Sequence, residues 1–227
     1  MKFEWGKVID INMINDKLKQ KKYNIVAVVH AETSTGVLNP IAEIAKLIPD
    51  DTLFIVDAVT SFGTVDVNVD KWKIDAIYSC SQKGLSCPPG ASPISFSDRA
   101  IHKLKNRKSK VPNWYLDLSM IINYWGGNSR VYHHTAPINM MYALYQGLCN
   151  VIEEGHDNVI SRHLEAHKNL KLKLDALGIS FLVDEKYRIP SLNSVIIPEG
   201  INDLVVRSTL LNDYNIEIGG GLGPLAG

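Results

Sequence analysis

Asp57 and Lys83 are the two residues whose types and setting could do chemistry together. Asp57 closes the apolar run "TLFIVD" (52–57), with no basic residue near it in sequence. An aspartate so placed can ligate a metal, cap the next segment or partner a protonated ring nitrogen. Lys83 follows one strand–loop–strand crossing later, inside "YSCSQKGLSCPPG" (78–90), among small and hydroxyl-bearing neighbours. A lysine there is either an ordinary surface charge or an amine that attacks a carbonyl to form an imine. If both residues stand at neighbouring strand ends, carboxylate and amine face one crevice. The spacing alone leaves these readings open.

The elements that would hold the pair are legible around it. "NIVAVVHA" (24–31) is a continuous β-branched and apolar run, which predicts a strand buried on both faces. "PIAEIAKLI" (40–48) has helical spacing, with Pro40 at the first turn and Pro49 as a stop. "TLFIVD", "IDAIYS" (74–79) and the weaker "SPISFS" (92–97) predict three more strands. Strand–helix–strand alternation predicts an α/β fold with a mostly parallel sheet, whose ligands sit beyond the carboxyl ends of its strands. His30, Asp57 and Lys83 all fall at or just past those ends. Two helices are then expected, over 136–154 and 158–178, with a domain boundary near Gly155. Short strands at 179–183, 193–198 and 215–218 and a helix over 202–212 make the second part α+β. The basic run 102–110 reads as a solvated helix end.

A lysine for an aldehyde and an acid for a pyridine nitrogen are the pair that pyridoxal 5'-phosphate requires. Four stretches in order carry a closer likeness: "HAETSTGVLNP" (30–40), "VDAVTSFG" (56–63), "YSCSQKGLSCPPG" and "VYHHTAP" (131–137). Together they resemble the class V, fold-type-I aminotransferases that use this cofactor, in the alanine–glyoxylate and serine–pyruvate branch. The likeness runs from "EWG" (4–6) to "IEIGGGLGP" (216–224). It implies that Lys83 forms the internal aldimine and shuttles a proton, and that Asp57 pairs with the pyridine nitrogen. It puts Thr33 near the phenolic oxygen, Val59 against the ring face and Gln82 beside the phosphate. Tyr132 and Thr135 would reach the phosphate of the other subunit's cofactor, which implies a homodimer with shared sites. The implied reaction moves an amino group from alanine or serine to glyoxylate or pyruvate, between small amino acids and 2-oxo acids.

Each assignment has a plainer rival. Thr33 and Thr35 could close a turn through local hydrogen bonds, and Tyr132 could be a core aromatic. His133 and His134, adjacent on a strand, would point opposite ways and would not share a metal easily; no metal is expected. "GGGLGP" (219–224) lacks the following Lys-Ser or Lys-Thr of a phosphate loop, and reads instead as a tight backbone approach. "SQK" differs from the cysteine desulfurases, whose lysine usually follows a histidine. A lyase or desulfurase on the same fold would need a reactive cysteine on a mobile loop, with Cys87 the candidate nearby. A shortened, inactive paralogue serving as a dimer partner is the other alternative.

Composition agrees with an enzyme. The 227 residues are 45% hydrophobic, with 24 basic and 24 acidic side chains, so a core is available and no basic excess invites nucleic acid or a membrane surface. No apolar stretch would span a bilayer, and the opening residues lack a signal peptide's apolar core. Three scattered cysteines suit a reducing compartment. The likeness implies an intracellular home, peroxisomal, mitochondrial or cytosolic, with the peroxisome favoured. Family members carry further chain at both ends, including a carboxylate-clamping arginine, so the sequence is expected to be a fragment: 1–154 part of a large cofactor-binding domain, 155–227 part of a small C-terminal one. Arg130, Arg188 and Arg207 do not sit at the clamp's position.

Overall fold

The computed structural model describes residues 1–126, 129 and 131–225. A first helix, α1 (Ile11–Gln20), which the sequence reading passes over, starts where the Asp10 carboxylate accepts the Asn12 N–H at 2.8 Å. Strand β1 (Ile25–Val29) and a short helix α2 (Ile41–Ala45) follow. The apolar run after Ala45 tightens into successive three-residue turns through Ile48 rather than continuing the helix to Pro49.

Strands β2 (Leu53–Asp57), β3 (Ala76–Tyr78) and β4 (Ile94–Phe96) complete a four-stranded sheet among the described residues, in the order β1–β2–β3–β4. The pairs β1–β2 and β2–β3 are parallel and β3–β4 is antiparallel, so the sheet is mostly parallel as expected. Its burial departs from the expectation of strands covered on both faces. Val28, Phe54, Val56, Ala58 and Ile77 turn to one side and pack with Ile14, Ile41 and Ile44 from α1 and α2. Each large side chain there contributes about 1.5–3 kcal/mol over an exposed position. The alternate residues on the other side, Ile25, Leu53, Ile55, Asp57, Ala76 and Tyr78, are half-buried or exposed. Period-two alternation puts all of them on that side.

Helices α3 (Asp98–Lys105), α4 (Leu118–Gly126), α5 (Ile138–Glu154), α6 (His156–Ala176) and α7 (Asp203–Tyr214) make up most of the remainder. Between α5 and α6 the chain turns at Gly155, whose φ of +86° favours glycine. The strands expected at 179–183, 193–198 and 215–218 are not formed: a single bridge joins Phe181 to Val195, and 215–218 is irregular. These apolar runs lack a third strand to pair with, and several of their residues, Ile196 and Ile197 among them, stay exposed. Helix is therefore the main regular element of the C-terminal part, and the Phe181–Val195 bridge is the β pairing between these runs. No helix among the described residues is long and apolar enough to cross a membrane.

Candidate active site

The loops after β1, β2 and β3 leave the sheet at its carboxyl end and are tied to one another. Ala58 N–H donates to Tyr78 O at 2.9 Å, and the Ser79 hydroxyl to Ala58 O at 3.1 Å. A Cβ on Gly84 would run into the Phe62 carbonyl, and Gly63 (φ +85°) lies against Gly84. The residue after Lys83 thus has to be glycine for the two loops to meet. The loop carrying Lys83 is also stitched to itself. Ser79 N–H donates to Pro93 O and Ser81 N–H to Ala91 O, each at 2.9 Å, and the Ser81 hydroxyl donates to Pro88 O at 2.6 Å.

At the end of β2, Asp57 is half-buried. Its Oδ1 accepts the Val59 N–H at 2.8 Å and its Oδ2 accepts the Tyr78 hydroxyl at 2.8 Å. Neither donor is a cation, and no salt bridge reaches Asp57 among the described residues. Burial, and then the bond to Asp57 and its charge, push the Tyr78 phenol above its ordinary value. Lys83 and Gln82 are exposed, and the Lys83 amine has no hydrogen-bond or ion-pair partner among the described residues. Thr33, in the turn after β1, shares a short hydroxyl–hydroxyl hydrogen bond with the buried Thr60. Val59 stands between Asp57 and Thr60 along the loop after β2.

The turn is closed by other residues: Gly36 N–H donates to Glu32 O at 2.8 Å, and the Thr35 hydroxyl accepts the Val37 N–H at 3.3 Å. Thr35 is therefore a turn residue, while Thr33 points its hydroxyl toward the β2 loop. His30 belongs with the core, not the crevice. It is buried edge-on to Trp72 at 5.5 Å, and burial lowers its pKa to about 4, so it is neutral.

Tyr132 and Thr135 bond to each other rather than to this cluster: their hydroxyls meet at 3.1 Å, and no hydrogen bond among the described residues links them to Asp57 or Lys83. Tyr132 is 66% exposed, which removes the core-aromatic reading. The expectation that His133 and His134 point opposite ways is also corrected. The segment is not a strand, and their Nδ1 atoms meet at 2.8 Å. His133 is buried against Trp114 and bonds its carbonyl at 3.0 Å, a packing role, and no metal-holding cluster occurs among the described residues. The Cys87 thiol donates to Leu85 O at 3.1 Å and to Ala143 O at 3.2 Å, wedged against Gly147, which is not the mobile setting a desulfurase cysteine would need. Arg188 stacks on Phe181 and donates to Val183 O, and Arg207 pairs with Asp203; Arg130 lies outside the described residues.

Sequence reasoning missed Tyr78 and Thr60 as neighbours of the pair. Tyr78 stood in plain view at the head of the quoted lysine stretch. Aligning the ends of two parallel strands, Asp57 opposite Tyr78, would have found it.

The mostly parallel sheet thus carries an acid and an amine on adjoining carboxyl-end loops. Residues 1–223 match the profile of Aminotransferase class-V, and the chain belongs to that family, which depends on pyridoxal phosphate. It is 38% identical over 223 residues to the alanine–glyoxylate aminotransferase of Mus musculus, covering 96% of this chain and 54% of that protein. It is 37% identical over 243 residues to the (S)-ureidoglycine–glyoxylate transaminase of Bacillus subtilis, covering 99% and 58%. The crystal structure of an alanine–glyoxylate aminotransferase from Nostoc sp. superposes with a TM-score of 0.94 at 46% identity, over all of this chain and 60% of that one. The chain spans little more than half the length of the curated relatives it matches.

Proposed function

We propose that this chain serves a pyridoxal-phosphate-dependent aminotransferase that moves an amino group from alanine or serine to glyoxylate or pyruvate. The observation that carries the reading is Asp57: a carboxylate at a strand's carboxyl end, held by two neutral donors, whose loop packs against the loop of Lys83. The mouse and Nostoc relatives, both alanine–glyoxylate aminotransferases, support alanine and glyoxylate as the donor and acceptor.

The residues present suit the cofactor. When bound, it supplies an aldehyde for an amine and an electron-withdrawing ring that stabilises negative charge at the substrate's Cα. Asp57 offers its carboxylate to a protonated ring nitrogen, an interaction with no competing cation among the described residues. Lys83 Nζ, exposed and without a partner there, can attack a carbonyl and then take and return the Cα proton. Val59 would present an apolar surface beside the acid, Thr33 a hydroxyl, and Gln82 an exposed amide next to the lysine in the chain for the phosphate. Tyr132 and Thr135 are left for a neighbouring subunit's phosphate. That fits a homodimer, as does the exposed apolar stripe of Ile138, Tyr142, Tyr145 and Ile152 at helical spacing on α5. In this reading residues 1–154 and 155–227 belong to a large and a small domain, and the protein works inside the cell, with the peroxisome favoured.

The test is borohydride reduction of the chain mixed with pyridoxal phosphate, followed by peptide mass mapping. A pyridoxyl group on Lys83, absent in Lys83→Ala, is expected. Labelling spread over surface lysines would sink the proposal. Alanine–glyoxylate turnover by the longest available form of the protein then decides the substrates.

A further inference from the structure

The bond between Tyr78 and Asp57 is not part of any role assigned so far. The two residues are register partners at the ends of parallel strands β2 and β3, on the thinly covered side of the sheet. Neighbouring strands lie about 4.8 Å apart, so a tyrosine beside an aspartate can fold its hydroxyl back onto the carboxylate, and it does so at 2.8 Å. The other oxygen is held by a backbone N–H from Asp57's own loop. Two donors from two separate segments, one on each oxygen, fix both torsions of the side chain. Oδ2 keeps acceptor capacity, since a carboxylate oxygen can accept more than one hydrogen bond.

We propose that Tyr78 is a positioning residue for Asp57: its hydroxyl locks the carboxylate in one rotamer, with the free lone pair of Oδ2 aimed beyond the strand end at the site of a ring nitrogen. The inference rests on the cofactor reading above. Without the hydroxyl, water takes its place and the carboxylate turns about its Cβ–Cγ bond, so preorganisation toward a bound ring is lost. Tyr78 is 39% exposed, so water shares in the bond and the effect is moderate. The raised Tyr78 phenol pKa agrees with a donor facing a carboxylate.

Tyr78→Phe removes one oxygen and leaves the ring. Two readouts on the full chain test it, with melting curves to confirm an intact fold. In the cofactor-free chain, carbon-13 labelling of tyrosine Cζ reports on the hydroxyl at neutral pH. The Tyr78 signal, identified by its loss in Tyr78→Phe, moves in Asp57→Asn and stays in place in Lys83→Ala. In the second arm, pyridoxal phosphate is titrated by visible absorbance between pH 6 and 9. Tyr78→Phe weakens binding about threefold to tenfold, the worth of one partly solvated hydrogen bond to a charged group, and displaces the pH midpoint of the band. A Tyr78 signal indifferent to Asp57→Asn overturns the inference. So does a wild-type band whose affinity and pH profile Tyr78→Phe leaves unchanged, and that outcome spares the functional reading. A wild-type chain with no saturable band overturns the functional reading and the inference together.

Discussion

Two aspartates at opposite ends of the same short sheet have opposite fates. Asp75, just before β3 at the amino end, is buried and saturated: it accepts the Phe54 N–H at 2.8 Å, the Ser97 hydroxyl at 2.7 Å and the Arg99 Nε–H at 2.9 Å. Arg99 in turn reaches the carbonyls of Asp50 and Thr52, tying β4's end to the turn before β2. Asp57, at the carboxyl end, has two neutral donors and room for another. A carboxylate paired with a guanidinium is already engaged in holding the fold. One without a cation can bind a cation that arrives from outside. The same residue type is structural at one end and chemical at the other, and the partner makes the difference.

The contrast can be broken from the structural end first. Asp75→Asn removes the charge that Arg99 faces and is expected to cost about 2–4 kcal/mol in urea unfolding, less than a fully buried pair because Arg99 is partly exposed. Acid should reproduce part of this loss. Burial alone would raise the Asp75 carboxyl, but the Arg99 guanidinium, the Phe54 N–H and the Ser97 hydroxyl outweigh it and hold it below its ordinary 3.8. Its contribution is therefore present above that value and lost as the pH falls below about 4, and Asp75→Asn should flatten that limb of the stability curve. His30 gives a separate slope at higher pH. Folding keeps it neutral down to about 4, while the unfolded chain takes up a proton near 6.5. Stability should thus fall between about pH 6.5 and 4, and His30→Leu should abolish that slope.

Gly84→Ala forces a methyl group toward the Phe62 carbonyl, at a cost of about 1–3 kcal/mol. It should also reduce Lys83 labelling, because the two loops must part. At the chemical end the order of effects reverses. Asp57→Asn should cost under about 1 kcal/mol of stability yet weaken pyridoxal phosphate binding tenfold or more. Lys83→Ala should leave unfolding within about 0.5 kcal/mol of wild type while abolishing the reducible adduct. An Asp57→Asn chain as unstable as Asp75→Asn would erase the distinction.

Strands β1 to β3 were legible because their runs are short, apolar and β-branched, and the alternation from 24 to 97 permits few topologies. The residues at their carboxyl ends came with them. Burial was not legible, because an apolar run reads the same whether one face is covered or two. Arg99 was invisible as Asp75's partner: the pair is joined only by the antiparallel return of β4, which spacing does not announce. In the C-terminal part, "ISFLV" and "NSVIIP" have strand composition, yet only the Phe181–Val195 bridge forms, since strand propensity needs a neighbour to act on. Helix α1 escaped notice although Ile11, Ile14 and Leu18 stand at helical spacing, because these apolar residues are scattered among polar ones and Ile14 alone is fully buried.

The stitched loop around Lys83 limits how that lysine can move. Its backbone is closed by β-type bonds on both flanks, so ordering it on binding demands little further chain entropy. What stays free is the side chain, whose four-carbon stem carries about 2 kcal/mol of rotamer entropy. The amine's reach is then a matter of methylene torsions swinging from a fixed Cα. An insertion or a proline that frees the loop would enlarge the volume the amine explores and dilute it at the one place where Asp57 is waiting.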